Sequence, residues 1–579
     1  MTSGLYDATE ADAAPTHGEP LPPPASSTPD GGDQPSRDPR RWFVSDNNRP
    51  SIWRGIVLGL LATGAGLGVA ELVVGLVRGS SSPVVPVGQE FIDVTPSWLK
   101  EWAIEQFGTN DKAVLVAGAL VVVLGLGSIV GIFAVRGAKG AAYALSAAVG
   151  VMGAWAVALR PEPTLGKFMP TIVGTAVSIS IIWWLAPRSQ VTADGNRVLV
   201  GPDRRQFVQG AVGIGSIAAI AGGVGRLLQP RFEVDNDFVL PGQPSPSTVP
   251  GAAGDGPATT IADVVPVDVE LDRAPPIDGA ELGIDGIESF VVPNTDFYRI
   301  DTALTVPQVP ADSWSLSISG LVDNPFSIDF DELLSRPQVE RYITLSCVSN
   351  PVGGELVGNA LWQGVLLKPL LEEAGLQTGA EQLVSRSIDG WTCGSPIESI
   401  MDGRDAMLAF GMNGEPLPAQ HGFPVRIVVP GLFGYVSATK WVTDIALTRW
   451  DDFDAYWVPR GWSKRGPVKT MARIDTPRSG ASRDGEVAIG GVAWAVHRGI
   501  SAVQIRIDEG EWLDAELGAV PSADTWVQWV YRWDTSGITG SHTVEARALD
   551  GTGEPQPEEP RSVAPDGAQG YHRISIDVN

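Results

Sequence analysis

Long apolar runs and polar segments alternate along the first 230 residues of the chain. Each run approaches the ~20 apolar residues that a helix needs to cross the hydrocarbon core of a bilayer. Five such runs, separated by polar loops, favour a bundle of five transmembrane helices over residues 51–230 rather than the buried helices of a soluble domain. The predicted spans are Ile56–Val77, Ala113–Val135, Ala141–Leu159, Phe168–Ala186 and Phe207–Leu228.

Basic residues mark the loops that we expect on the cytoplasmic side of this bundle. Arg and Lys precede the first run and also lie between the second and third runs and between the fourth and fifth, whereas segment 88–111 carries several acidic residues. Because basic loops stay in the cytoplasm, we predict a multi-pass protein of the cell membrane with a cytoplasmic N-terminus. An odd number of spans then places everything after Leu228 outside the cytoplasmic membrane.

Two arginines, Arg204 and Arg205, precede a fifth run that is rich in Gly and Ala and only moderately apolar. The pair resembles a twin-arginine export signal. The tendency of basic residues to stay at cytoplasmic helix ends accounts for the pair equally well. The export interpretation gains weight if the following domain folds around a cofactor before it crosses the membrane.

The rest of the chain divides by pattern into four further segments. Residues 1–50 are rich in Pro, Ser, Gly and Asp, which predicts a disordered tail. Residues 231–280 are rich in Pro and Gly without periodicity, which predicts a linker. Residues 281–460 have the pattern of a soluble α+β domain, with a buried strand at Val425–Val429. Short β segments separated by turn residues over 461–579 predict an immunoglobulin-like β-sandwich.

Charge and cysteine content exclude several classes of function. The formal net charge of −26 argues against a nucleic-acid partner, which would need a basic face. Two cysteines are too few for an iron–sulfur cluster or a four-cysteine zinc site. None of the five histidines lies in an apolar run, so we expect no haem held between the helices.

Cys347 is the candidate with the most reactive setting, because it follows a short strand and begins a Gly/Asn-rich loop. Three interpretations of its chemistry stay open from the residues alone. It could form a disulfide with Cys393 in an oxidising compartment, in which case residues 281–579 would be a binding module on a membrane anchor. It could fill a buried apolar space, or act as a nucleophile paired with His421.

Three segments resemble the sulfite oxidase family of molybdopterin enzymes. Residues 342–364, around Cys347, resemble the loop that supplies the family's molybdenum ligand. Residues 421–441 (HGFPVRIVVPGLFGYVSATKW) match a second long motif, and Asn294–Arg299 resembles a loop that contacts the pterin. The resemblance runs from about residue 285 to the C-terminus and implies that the sandwich is of the dimerisation type, so that a homodimer is expected.

The resemblance also implies roles for individual residues. Cys347 would be the one protein ligand of a molybdenum held by the pterin dithiolene, a role that suits a soft thiolate. The pterin and its phosphate would be held by His421, Arg426 and Lys440, the last two as charged donors. Neutral hydrogen bonds would come from Asn294, Tyr298, Ser387, Ser437 and Thr439. The substrate pocket would be lined by Arg299, Arg460 and Trp462.

The implied activity is two-electron oxygen-atom transfer on a small sulfur- or nitrogen-containing substrate. Sulfite-oxidising members carry arginines shortly after the cysteine, where this chain has Asn350-Pro-Val-Gly-Gly. This departure favours an alternative within the family, a reductase of methionine sulfoxide or of another S- or N-oxide. We expect no haem, flavin or iron–sulfur group in the chain itself, and therefore an external electron partner such as a cytochrome, a quinone-linked protein or a haem membrane protein.

Overall fold

The computed structural model describes residues 51–77, 80, 82–95, 99, 106, 111–160, 164–191, 197–200, 202, 204–228, 240–241, 270–483 and 485–579. The predicted tail, residues 1–50, lies outside the described residues. Of the predicted linker, residues 231–280, only 240–241 and 270–280 are described.

Five of the described helices are long and apolar enough to cross a membrane, as the apolar runs predicted. Helix α1 packs against three of the others, and small residues let the backbones approach closely. A β-carbon on Gly59 of α1, for example, would lie 1.9 Å from the carbonyl oxygen of Gly127. The five are α1 (Ile52–Leu76), α3 (Asp111–Val135), α4 (Lys139–Ala158), α5 (Leu165–Leu185) and α6 (Arg204–Leu228); a shorter helix, α2 (Val84–Val94), lies between the first two.

Two short elements between these helices were not predicted from the sequence. Helix α2 (Val84–Val94) follows α1, is too short to span a bilayer, and packs against α3 and α4. Its Glu90 forms an ion pair with Arg160, just beyond α4. Strands β1 (Arg188–Val191) and β2 (Arg197–Val200) form an antiparallel hairpin between α5 and α6.

The region that follows the helices is built from two sheets, and its three α-helices are only four to eight residues long. The predicted α+β domain is therefore dominated by β structure. Its strands are β3 (Leu271–Asp272), β4 (Ser315–Gly320), β5 (Phe326–Asp329), β6 (Gln338–Ser346), β7 (Val357–Leu366), β8 (Gln382–Ser387), β9 (Thr392–Pro396), β10 (Met407–Met412), β11 (Glu415–Pro416), β12 (Arg426–Val428) and β13 (Val442–Thr448). Its helices are α7 (Phe330–Leu334), α8 (Leu367–Ala374) and α9 (Glu398–Met401).

The first sheet has the strand order β11-β10-β7-β6-β3, with β12 also paired to β10, and the second has the order β5-β4-β13-β8-β9. Strand β10 is buried along its whole length, which explains why its sequence is continuously apolar rather than alternating. Strand β6 ends immediately before Cys347, and β12 begins at Arg426. The sheets thus fix the ends of the segments that carry the candidate chemistry.

The C-terminal region forms two further sheets that share one apolar core, containing Val503, Trp529 and Ile576. The strand orders are β14-β16-β20-β19 and β15-β22-β21-β17-β18. The predicted series of short strands is present, and its immunoglobulin type stays a prediction. The strands are β14 (Met471–Thr476), β15 (Ala481–Arg483), β16 (Glu486–Trp494), β17 (Ile500–Ile507), β18 (Leu513–Asp514), β19 (Glu516–Leu517), β20 (Val527–Asp534), β21 (Gly540–Asp550) and β22 (His572–Val578).

The two β regions are joined by buried contacts rather than by a simple tether. Trp494 and Trp526 of the C-terminal region belong to the apolar core of the preceding region. The indole Nε1 of Trp526 donates to the carbonyl oxygen of Phe290 at 2.9 Å. Its backbone N–H also donates to Thr344 Oγ1, on β6, at 2.7 Å. The strand that leads to Cys347 is therefore packed directly against the C-terminal region.

Candidate active site

A cavity with about 940 Å³ of empty space, its open mouth included, lies where three segments of the first β region meet. These are residues 297–302, the Cys347 loop (residues 347–356) and residues 421–441. Much of the lining is aromatic, including Trp457 and Trp462. Segments that are far apart in the sequence, each identified there by a motif, therefore converge on one cavity.

Cys347 lines this cavity, and its thiol is free. Its backbone N–H donates to the carbonyl oxygen of Leu356 at 2.9 Å, which closes the base of the Cys347 loop. Burial raises the pKa of the Cys347 thiol, opposed by hydrogen bonding with Ser349. A bound cationic metal would favour the thiolate.

Cys393 has a different setting, on the fully buried strand β9. It is also a free thiol, so the disulfide that the sequence left open is not formed. Burial raises the pKa of Cys393 to about 11, against hydrogen bonding with Thr439, Ser395 and Ser385. Cys393 is therefore a protonated core residue, and Cys347 alone presents a thiol to the cavity.

Arg426 is the second distinctive group of the cavity lining, and its side chain is buried. Its Nη1 donates to the carbonyl oxygen of His421 at 3.1 Å, and its guanidinium lies 4.9 Å from the centre of the Trp362 ring. Its Nε is buried without a hydrogen-bond partner, and within the described chain no carboxylate pairs with it. Desolvation lowers the pKa of Arg426 to about 10. A buried cation left in this state fits an anionic ligand such as a phosphate.

Lys440 also lines the cavity, but its charge has a protein partner. Its Nζ lies 2.9 Å from Asp301 Oδ2 and 3.3 Å from the carbonyl oxygen of Gln420. Desolvation lowers the pKa of Lys440 to about 8, against the attraction of Asp301. The same Asp301 oxygen accepts from Arg299 Nε at 3.0 Å. Arg299 is therefore placed behind Asp301 and does not itself line the cavity.

His421 is a neutral member of the cavity lining. Its Nε2 lies 2.8 Å from the carbonyl oxygen of Asn294, so that Nε2 carries the proton and Nδ1 is left as an acceptor. Desolvation lowers the pKa of His421 to about 4, with further lowering by Arg426 and Lys440. Asn294 itself is outside the lining, and its Oδ1 accepts from Asn413 Nδ2 at 2.8 Å. Its predicted contact with a cofactor stays a prediction.

The predicted neutral donors divide into lining and supporting residues. Tyr298 and Ser387 line the cavity, and burial together with Cys347 raises the pKa of Tyr298. Ser437 lies behind the wall, where its Oγ donates to the carbonyl oxygen of Phe433 at 3.0 Å. Thr439 also lies behind the wall, with its Oγ1 2.6 Å from Ser385 Oγ. The last two shape the backbone of the segment that carries Lys440.

The predicted substrate-pocket residues are only partly brought together. Trp462 lines the cavity, with its ring centre 5.9 Å from that of Tyr435. Arg460 does not line it; its guanidinium lies 3.7 Å from the centre of the Tyr456 ring and donates to the Tyr456 carbonyl oxygen. The sequence-based reasoning did not select several lining residues, of which only Trp441 lies within a recognised motif: Asp301, Asp389, Trp391, Trp441 and Trp457.

Most of the segments that line this cavity lie in a part of the chain that is similar to known proteins. Residues 303–457 match the model of the oxidoreductase molybdopterin binding domain. The chain is 33% identical over 153 residues to the uncharacterized oxidoreductase YuiH of Bacillus subtilis, covering 26% of this chain and 74% of that protein. It is 28% identical over 343 residues to sulfite oxidase of Arabidopsis thaliana, covering 48% of this chain and 85% of that protein. Among solved structures, the sulfane dehydrogenase SoxCD from Paracoccus pantotrophus aligns with a TM-score of 0.41 and 24% identity over 47% of this chain and 75% of that chain.

The match defines the class of the protein, a molybdenum-dependent oxidoreductase, as the motifs predicted. The chain belongs to the sulfite oxidase family of molybdopterin-dependent oxidoreductases. The alternative of a non-catalytic binding module held by a Cys347–Cys393 disulfide was therefore wrong, since both thiols are free. The residues present also fit the family's cofactor, because a free thiol and an unpaired buried arginine line the same cavity.

Proposed function

We propose that the protein is a membrane-anchored molybdopterin oxidoreductase that transfers an oxygen atom to or from a small sulfur- or nitrogen-containing substrate at this cavity. The observation that carries the proposal is the buried guanidinium of Arg426, whose Nε has no protein partner, in a cavity that Cys347 also lines. Bound molybdopterin would supply two-electron oxygen-atom transfer at the molybdenum.

The chain's own residues would bind and orient this group. Cys347 would be the protein ligand of the metal, and Arg426 would bind the cofactor's phosphate as a charged donor. His421 would offer Nδ1 as an acceptor, because the Asn294 carbonyl oxygen fixes the proton on Nε2. Tyr298 and Ser387 would add neutral hydrogen bonds from the cavity wall.

The charges of the lining favour an uncharged substrate over sulfite. The lining contains two cations, Arg426 and Lys440, and two carboxylates, Asp301 and Asp389. Lys440 is already paired with Asp301, and Arg426 would be occupied by the cofactor. Little positive charge would then remain for an anion, whereas several tryptophans offer an apolar wall.

A second candidate function is therefore the reduction of methionine sulfoxide or of another S- or N-oxide. Where sulfite-oxidising relatives were expected to carry arginines, Asn350 turns its amide into the loop, and its Oδ1 accepts from the Leu356 N–H at 2.9 Å. A sulfoxide would take up two electrons and two protons and yield a thioether and water. The electrons would come from an external partner, such as a cytochrome, a quinone-linked protein or a haem membrane protein.

Several contacts support a catalytic domain on the outer face of the membrane. Helix α2 and the catalytic domain lie on the same side of the bundle, because a β-carbon on Gly88 would lie 2.8 Å from Leu304 Cδ1. With five spans, the ends of the first and the fifth span lie on the same side of the membrane. If the segment after α1 is outside, the catalytic domain that follows α6 is therefore outside as well. Leu240 is buried against the first sheet at Gly411. Because only twelve residues lead from the end of α6 at residue 228 to residue 240, the end of α6 can lie at most about 40 Å from this sheet.

The remaining parts of the proposal concern orientation, export and assembly. Basic loops support a cytoplasmic N-terminus, and Arg204 and Arg205 at the start of α6 would act as a twin-arginine export signal. Changing both to lysine should leave the catalytic domain on the cytoplasmic side, as measured by protease access from outside. The domain division near residues 280 and 460 and a homodimer through the C-terminal sandwich belong to the same proposal, although strand β3, at Leu271–Asp272, already pairs with β6.

The experiment that tests the function combines metal analysis with a substrate comparison. The full chain, purified in detergent, should contain stoichiometric molybdenum and should act on sulfoxides or their reduced counterparts with a higher kcat/KM than on sulfite. Absence of molybdenum from the purified protein would reject the proposed cofactor. A preference for sulfite would instead reject only the argument from cavity charge.

A further inference from the structure

The Cys347 loop is a compact connection whose shape depends on its own hydrogen bonds. The Cys347 N–H donates to the Leu356 carbonyl oxygen at 2.9 Å, and the Asn350 N–H donates to the Cys347 carbonyl oxygen at 3.1 Å. The Asn350 side chain bonds to the other end of the loop through the Leu356 N–H. These hydrogen bonds connect the two ends of the loop, and the Gly354 N–H adds a further one to the Pro351 carbonyl oxygen at 3.0 Å.

That far side is held by two side chains from the C-terminal β region. Arg473 Nη1, from β14, donates to the carbonyl oxygen of Gly354 at 3.2 Å. The imidazole of His572, from β22, lies against Gly353, where a β-carbon would come within 2.4 Å of His572 Nε2. Gly353 also has φ of +77°, a conformation that disfavours any other residue. Space and backbone geometry at this point therefore both require glycine.

The two side chains are themselves fixed in position. Arg473 is 4% exposed, its Nε donates to Asp475 Oδ1 at 2.5 Å, and its Nη2 lies 3.7 Å from Glu288 Oε2. His572 Nδ1 accepts from the Ile474 N–H at 2.9 Å, so the neutral ring carries its proton on Nε2, the atom that faces Gly353. A buried charged donor from one sheet of the C-terminal region and an oriented ring from the other thus contact the Cys347 loop.

We infer that Arg473 and His572 are positioning residues for Cys347, and that the C-terminal β region holds the Cys347 loop so that its thiol faces the cavity. The C-terminal region is then part of the active-site support. The inference rests on the proposed function only in the role of Cys347 as metal ligand. The position of the thiol itself can be measured without the metal.

The test uses the full chain in detergent, prepared without cofactor, and measures alkylation of each cysteine by mass spectrometry. Arg473→Met, His572→Phe and Gly353→Ala should each raise the alkylation rate of Cys347 by about tenfold, as expected when a hydrogen bond to a charged donor or an equivalent packing contact is lost. Cys393, buried on β9, should be accelerated much less than Cys347 in all three. Arg473→Lys keeps the charge beside Asp475 and should give an intermediate rate.

Matched controls come from the same C-terminal region. Arg532 pairs with Glu486 at 3.9 Å on the surface, and His542 pairs with Asp508, both away from the Cys347 loop. Arg532→Met and His542→Phe should leave the Cys347 alkylation rate unchanged. In the molybdenum-loaded protein, only the three loop-contact variants should alter the absorption spectrum of the metal–thiolate group.

Two outcomes would overturn the inference. The first is an unchanged Cys347 alkylation rate and an unchanged spectrum in all three variants. The second is equal acceleration at Cys347 and Cys393, which would mean that the contacts stabilise the fold without positioning the thiol. If the wild-type protein contains no molybdenum while alkylation responds as expected, the proposed function fails and the positioning of the loop stands.

Discussion

Two buried arginines, Arg426 in the cavity wall and Arg473 under the Cys347 loop, have almost the same exposure, 5% and 4%. Each donates to a backbone carbonyl oxygen, but among the described residues only Arg473 is paired with a carboxylate. Arg473 donates to Asp475 and to a loop carbonyl oxygen, whereas the Nε of Arg426 is buried without a partner. Because a buried charge is costly unless it is paired, the first is part of the fold and the second indicates a ligand. Burial alone would not have separated structural support from binding site.

We expect the largest loss of activity when the sulfur atom of Cys347 is replaced. Cys347→Ser should abolish turnover and leave the fold largely in place, because the hydroxyl replaces a soft thiolate ligand with little change in size. Turnover and the thermal unfolding midpoint should be measured on the same preparation. Full activity in this variant would show that the metal does not depend on Cys347.

The two arginines should respond in opposite ways to the same substitution in the cofactor-free protein. Arg473→Met should destabilise the fold by about 1.5–3 kcal/mol, because Asp475 loses its cationic partner and keeps the Glu288 N–H as a donor. Arg426→Met should leave the thermal unfolding midpoint unchanged or raise it, because it removes an unpaired buried charge. Thermal unfolding in detergent compares the two variants directly. Equal destabilisation by both would remove the distinction between them.

His421, a second buried group of the cavity, should make the stability of the cofactor-free protein depend on pH. The pKa of His421 is lowered from 6.5 to about 4, so in acid the unfolded chain takes up a proton before the folded protein does. Stability is therefore lost as the pH falls from 6.5 towards 4, by up to about 3 kcal/mol. As the pH falls across this interval, the unfolding midpoint of the cofactor-free wild-type protein should decrease more steeply than that of His421→Asn. Parallel pH profiles for the two proteins would contradict the buried neutral histidine.

We expect the smallest effect from changing the ion pair between Lys440 and Asp301 in the cavity lining. Asp301→Asn would remove the carboxylate between Lys440 and Arg299 and leave uncompensated positive charge at the cavity. Inhibition by sulfate or sulfite should strengthen several-fold, by about 1 kcal/mol, and should weaken again at high salt. An inhibition constant that does not change would mean that cavity charge does not select the substrate.

The sequence predicted those elements best that depend on a single local pattern. Runs of about 20 apolar residues predicted the five long helices, because no other element buries so continuous a run. Helix α2 was missed because its eleven residues are too few to cross a bilayer, so the search for long apolar runs did not detect it. The motifs also identified Cys347, His421 and Arg426, all of which line one cavity.

The residues that the sequence did not reveal act across long distances in the chain. Arg473 and His572 contact the Cys347 loop from 119 and 219 positions beyond Gly354 and Gly353, respectively, and no local pattern marks them. Asp301 is similar, since only the fold brings it to Lys440. Asn294 and Arg460 show the converse, because family resemblance selected them while the structure places them outside the cavity lining.

The most direct measurement is the molybdenum content of the full chain in three forms: wild type, Arg426→Met and Arg473→Lys. We predict about one metal atom per chain in the wild type, little or none in Arg426→Met at an unchanged or higher unfolding midpoint of the cofactor-free protein, and near wild-type content in Arg473→Lys. A wild-type protein without molybdenum, or an Arg426→Met protein that retains its full share, would contradict the assignment of the unpaired arginine to the cofactor.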